Sequence, residues 1–224
     1  MGKMVVIEGL DGSGKATQAE LLSGYLREKG CKVYNLDLPF YSDSSSTLVK
    51  MYLGGELGDK PSDVNAYAAS TFYAVDRYAS FKKHWEKEYN SEKITVANRY
   101  TTSNAAHQMT KLPANEWDTY LEWLFEFEYR KIGVPEPDCV IYLDMPVDIS
   151  QKLLLKRYSG DEKKKDVHER DVEYLVSCHK AAVYAAEKLG WNVIKCGENG
   201  EPFTVEYISE KVCDTVERML FAND

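Results

Sequence analysis

The sequence predicts a single α/β domain, a five-stranded parallel sheet with helices on both faces. Three observations lead there. Five short apolar runs alternate with longer amphipathic stretches, the pattern of strands joined by helical crossovers, which must run parallel. The first run enters a glycine-rich loop that opens a helical pattern. No Pro/Gly/Ser-rich linker or composition shift divides the 224 residues, a length that suits one domain over 1–224.

The first strand is residues 4–8, Met4-Val5-Val6-Ile7-Glu8, apolar without alternation, as burial on both faces requires. A helix over 15–29 follows the glycine loop and stops at Lys29-Gly30. Further strands fall at 32–37, 94–97, 139–143 and 192–195. Helical stretches near 62–88, 116–131, 147–157, 169–189 and 203–221 supply the remaining crossovers, with Leu189-Gly190 as a second stop. The aromatic residues Trp117, Tyr120, Trp123, Phe125, Phe127 and Tyr129 could form a base-stacking platform. Several recur at helical spacing, which favours core or subunit packing instead.

Charge and cysteine content narrow the partners. Lys and Arg number 28 against 36 Asp and Glu, a net charge of −8, which disfavours a nucleic-acid surface and leaves any anion to local cations. The five cysteines, Cys31, Cys139, Cys178, Cys196 and Cys213, form no Cys-x-x-Cys pair and read as small core residues of a reducing compartment. With no long apolar stretch or signal pattern, the expectation is a cytoplasmic protein without a membrane partner.

Chemistry begins at Gly9-Leu10-Asp11-Gly12-Ser13-Gly14-Lys15, a Gly-x-x-x-x-Gly-Lys phosphate loop set between a strand and a helix. Glycines at 9, 12 and 14 let backbone N–H groups curl around phosphate oxygens at the helix N-terminus, and Lys15 adds a mobile charge for the β- and γ-phosphates. A plain strand-to-helix turn has no use for that lysine. The next residue in such loops is Ser or Thr, whose hydroxyl meets magnesium, and here it is Ala16. Thr17 lies about 100° further round the helix and is no direct substitute.

Three further segments suggest an acceptor. Tyr73 and Arg77 are four apart on one helix face, an aromatic surface beside a guanidinium, which suits a nucleoside monophosphate; alone, such a pair is usually solvated or packed. Arg99 emerges at the carboxyl end of the third strand, where it could neutralise charge between donor and acceptor. Asn104 and Gln108, one turn apart beyond it, could read base edges or could be polar residues of a helix start. The charged run from Lys156 to Asp171 reads as an exposed loop, or as a lid near 157–168 that closes over triphosphate.

Taken together, the chain resembles the thymidylate kinase family of P-loop nucleoside monophosphate kinases through nearly its whole length. The residues that carry the likeness are Glu8 to Lys15, Pro39 after the second strand, Tyr73 to Arg77, Asn98-Arg99-Tyr100, the run from Ser103 to Gln108, and Pro135-Glu136-Pro137-Asp138. The resemblance implies a P-loop NTPase fold, ATP and dTMP as ligands, Mg2+ as cofactor, and a homodimer packed through helices near 62–88 and 116–131. It implies Lys15, Arg99 and Arg157 as catalytic residues, and Gly9, Leu10, Asp11, Gly12, Ser13, Gly14, Lys15, Ala16 and Thr17 around ATP. Asp11 would meet the 3′-hydroxyl or magnesium, Tyr73 would stack on thymine, and Arg77 and Arg99 would hold the monophosphate beside Asn98. Ser103, Asn104 and His107 would line the base and sugar pocket, with His107 where many members have tyrosine. Asp166 and His168 would approach the sugar, and Arg157 with Lys163 to Lys165 would cover the ATP phosphates.

Three departures stand beside the matches: Ala16, Asn98 in place of the signature aspartate, and Gly12 where some members carry arginine. They leave open a kinase for another nucleoside monophosphate, or a nucleotide-binding regulator without turnover. Transfer from ATP to dTMP is the favoured reading for a chemical reason. A phosphate monoester has its second pKa at about 6, so the acceptor is nucleophilic at neutral pH without a general base. Positioning and charge neutralisation carry the rest, and Lys15, Arg77 and Arg99 are present for both.

Overall fold

The computed structural model describes residues 2–157 and 172–221. Strands β1 (Lys3–Gly9), β2 (Val33–Asp37), β3 (Ile94–Asn98), β4 (Cys139–Asp144) and β5 (Asn192–Lys195) form one sheet in the order β2-β3-β1-β4-β5. All four pairings are parallel, as expected from the helical crossovers. Because β1 lies at the centre, its alternate residues feed two cores. Val5 and Ile7 pack with Leu22 and Leu26 of α1 (Lys15–Glu28) on one face, while Met4 and Val6 pack with Trp85 and Tyr100 on the other.

The helices keep the expected order with local differences. A short helix α2 (Thr47–Leu53) was not foreseen, being too brief for a periodic signal. The stretch near 62–88 divides: α3 (Ala66–Ser80) starts where the Asn65 side chain accepts from the Ala68 N–H at 2.8 Å, and a π turn over Phe81–Trp85 leads into α4 (Glu86–Tyr89). That turn is anchored by Phe81 and Trp85, both in the core. After α5 (Thr102–His107), α6 (Trp117–Phe125) also ends in a π turn, Glu126–Ile132, closed by Gly133 at φ 83. Hydrophobic spacing alone does not distinguish i+4 from i+5 bonding, so neither turn is visible in the sequence.

The chain continues through α7 (Val147–Arg157), α8 (Val172–Leu189) and α9 (Val205–Phe221). A two-residue hairpin, β6 (Gly197–Glu198) with β7 (Glu201–Pro202), turns at Asn199 and Gly200, both at positive φ, the chemistry of a tight hairpin. Its strands are too short to register as a pattern. The aromatic set on α6 packs rather than presenting a platform: Tyr120 is fully buried, and the Trp123 ring meets Tyr67 edge-on at 4.7 Å. Among the described residues no helix is long and apolar enough to cross a membrane, and all five cysteines are free thiols.

Candidate active site

Two walls meet at the carboxyl ends of β1, β2 and β3. The donor wall is the loop from Gly9 to Lys15. Gly14 caps α1 at φ 87, so the loop N–H groups and the helix N-terminus face the same space. Gly12 sits at φ 83, and a Cβ there would lie 2.5 Å from the Ser150 carbonyl oxygen, so this loop has no room for a larger residue. Ser13 is buried, with a hydroxyl that has no protein partner among the described residues. Lys15 runs back along the loop, with Nζ 2.9 Å from the Leu10 carbonyl and 3.5 Å from Asp11 Oδ1. Ala16 and Thr17 are exposed on the first turn of α1.

The acceptor wall comes from β3, α3 and α5. A cleft of about 250 Å³ is lined by Asp11, Tyr73, Arg77, Asn98, Arg99, Ser103, Asn104 and His107, so residues scattered over nearly a hundred positions share one cavity. Tyr73 stands edge-on to the Tyr52 ring at 6.4 Å. Arg99 leaves β3 in the left-handed region at φ 67, unusual for a residue with a side chain, and its guanidinium pairs with Asp11 while Nη1 lies 3.4 Å from His107 Nε2. His107 in turn has Nδ1 3.6 Å from the buried Cys178 thiol.

Two buried carboxylates hold the start of α5. Glu8 accepts from the hydroxyls of Thr102 at 2.8 Å and Ser103 at 2.7 Å, so the Ser103 hydroxyl is engaged with the donor strand. Glu128, from the π turn after α6, accepts from Thr101. It also takes the Arg77 fork, Nε at 2.6 Å and Nη2 at 2.7 Å. Arg77, which the resemblance sets on the monophosphate, lines the cleft but gives its Nε and Nη2 fork to Glu128, because a guanidinium only 3% exposed must be neutralised inside the protein.

Sequence reasoning missed Asp37 in the cleft and Glu128 behind its wall. Asp37 ends β2 in register with Asn98 and accepts its amide at 2.7 Å; the rule that ligands sit at strand carboxyl ends could have found it. Glu128 carries no such signal, since it reads as one more acidic residue on a charged helix. Arg157 lies exposed at the end of α7, and the lid residues Lys163 to Lys165, Asp166 and His168 lie outside the described residues.

The electrostatics are those of an anion site. Burial opposes ionisation of Asp11, but Arg99, Lys15 and His107 more than reverse this and hold its pKa well below the carboxylate range. Burial, helped by Arg99, lowers Lys15 to about 8 despite Asp11 and Glu8. Arg99 is pushed upward, since Asp11 and Glu8 outweigh its burial. A fixed cation, a tunable cation and an ionised carboxylate thus meet at Asp11, an arrangement chemically able to hold anions.

Comparison with known proteins gives a consistent picture. The profile of the family described as Thymidylate kinase matches residues 7–203. The thymidylate kinase of Mycobacterium tuberculosis (strain ATCC 25618 / H37Rv) is 32% identical over 184 residues, 81% of this chain and 84% of that one. A probable thymidylate kinase of Pyrococcus abyssi is 32% identical over 146 residues, 65% of this chain and 66% of that one. Among solved structures, the thymidylate kinase of Candida albicans superposes with a TM-score of 0.67 at 17% identity, over 96% of this chain and 91% of that chain, which shows a shared fold.

Proposed function

This chain belongs to the thymidylate kinase family, and from that premise we propose how its residues transfer the γ-phosphoryl group of ATP to dTMP, giving ADP and dTDP. One observation carries the residue-level reading: the glycine loop with Lys15 and the wall with Tyr73, Asn104 and Arg99 face each other across Asp11. The loop N–H groups and Lys15 hold the ATP phosphates. Arg99 leaves Asp11 to take the dTMP phosphate, with Arg77 contributing through the one terminal nitrogen, Nη1, that Glu128 leaves free. Tyr73 stacks on thymine, and Asn104 and Gln108 meet its edge. The acceptor phosphate is already ionised, so these groups align it in line with the donor and neutralise charge, with no proton to remove.

The donor set fits magnesium. Asp11 stays ionised at the junction of the two walls, and Asp37 adds a carboxylate on the same cleft. Among the described residues no group of three or more His, Cys, Asp or Glu side chains gathers, so nucleotide phosphates and water would complete the shell, as is usual for this ion. Bound there, Mg2+ would supply neutralisation of phosphate charge. The region near 157–168 would close over ATP and limit hydrolysis, with Arg157 as a further cation. A homodimer is supported by an exposed apolar face on α3, where Val75 and Tyr78 are each 43% exposed. Free thiols fit a cytoplasmic setting.

A substrate panel in a coupled ADP-release assay tests the reading. The specificity constant should be highest for dTMP. It should fall about 10- to 200-fold for dUMP, the range for one methyl-sized group, and fall further for purine monophosphates. Purine turnover matching that of dTMP would reassign the pocket. The donor site makes a pH prediction. Free Lys15, at about 8, is charged below that pH and neutral above it. ATP binds the charged form, so calorimetric affinity should be flat to about pH 8 and then weaken by up to about tenfold per unit. Affinity unchanged through pH 9.5 would remove Lys15 from the phosphate site.

A further inference from the structure

We propose that Glu128 is the positioning residue of the acceptor pocket and sets its preference for a base with an N–H at the ring edge; this rests on the reading that the cleft takes dTMP. Glu128 is completely buried, and four donors converge on it from two other elements. Arg77 on α3 supplies Nε and Nη2, the Thr101 hydroxyl donates at 3.0 Å, and Asn104 Nδ2 on α5 lies 3.3 Å away. The guanidinium is backed by the Tyr100 ring at 5.4 Å. A buried ion pair of this kind is weak evidence for stability, because well-packed apolar residues often serve as well. What it supplies is direction.

The direction matters most at Asn104. A carboxylate only accepts hydrogen bonds, so the amide must turn its NH2 toward Glu128. That nitrogen also lies 3.5 Å from the Ser70 carbonyl. Oδ1 is the amide atom left without a protein partner among the described residues, and Asn104 lines the cleft. The cleft therefore presents an acceptor, which complements the ring N–H of thymine or uracil and opposes the bare ring nitrogen of cytosine. Discrimination between pyrimidines is thus controlled by a residue behind the wall that touches no substrate. Glu8 provides an internal contrast: it ties Thr102 and Ser103 to the donor strand and leaves Asn104 alone.

The test is steady-state kinetics of Glu128→Gln with dTMP and dCMP. Glutamine keeps the shape but can donate, which lets Asn104 flip and offer its NH2 to the cleft. The KM for dTMP should rise roughly tenfold with kcat and the KM for ATP nearly unchanged, and the preference for dTMP over dCMP should shrink by about tenfold. Glu128→Asp, still a carboxylate, should keep the preference. Equal losses for both nucleotides, or a fall in kcat at constant KM, would overturn the proposal. If Glu128→Gln fails to fold, the double variant R77M/E128M removes both buried charges, and an unaltered pyrimidine preference in it would overturn the proposal as well. Wild-type protein showing no preference for dTMP over dCMP would instead defeat the reading of the cleft.

Discussion

Lys15→Ala should lower kcat by about two to three orders of magnitude while the protein stays folded. The magnitude follows from removing one preorganised cation from a site where charge develops on the transferring phosphoryl group, typically worth about 2.7–4 kcal/mol. The intact fold follows from the surroundings. Among the described residues, Lys15 Nζ bonds to the Leu10 carbonyl and pairs with Asp11, both within the loop, and no core side chain there depends on it. Burial lowers its pKa to about 8, so the charge is held at a cost, and the alanine variant should melt at the same temperature or slightly higher. ADP-release kinetics and a thermal melt read the two halves. A folded variant with near-normal turnover would sink the assignment of the donor loop.

The second large effect is at Arg99. Arg99→Lys keeps the charge but loses the planar fork that can hold two phosphate oxygens at once, so kcat/KM for dTMP should fall about a hundredfold. The KM for ATP should move little. The Arg99 guanidinium bridges Asp11 and His107, at the point where the two walls meet. A lysine ammonium is a point charge on a flexible stem and cannot satisfy both sides of that junction. Unchanged kinetics in Arg99→Lys would show that the acceptor phosphate binds elsewhere.

Much of the architecture was legible because its signals are local. Strands β1 and β4 carry continuous apolar runs and the other three shorter ones, and the glycine loop has a spacing whose backbone chemistry is nearly self-explanatory. Arg99 was legible for a topological reason, since it directly follows a strand of a parallel sheet. Other features depend on the tertiary fold. Nothing local distinguishes Glu128 from Glu126 two residues earlier, yet one is fully buried under Arg77 and the other pairs with Lys131 at the surface. The same holds for Asp37, whose meaning comes from its register with Asn98 on the neighbouring strand. Arg77 shows the limit most clearly: its face on α3 was readable from spacing, but the partner that claims its fork lies 51 residues away.

The left-handed backbone at Arg99 sets two kinds of selection against each other. A side chain in that region costs about 1–2 kcal/mol that glycine avoids and asparagine partly escapes. The ion pair with Asp11 offsets part of this, and Lys15 stands by as a second partner for the same carboxylate. Variants chosen for thermal resistance alone would drift toward glycine or asparagine at this position and lose turnover in doing so. On the role proposed for Arg99, arginine there serves phosphoryl transfer at a cost to robustness, held against the preference of its own backbone.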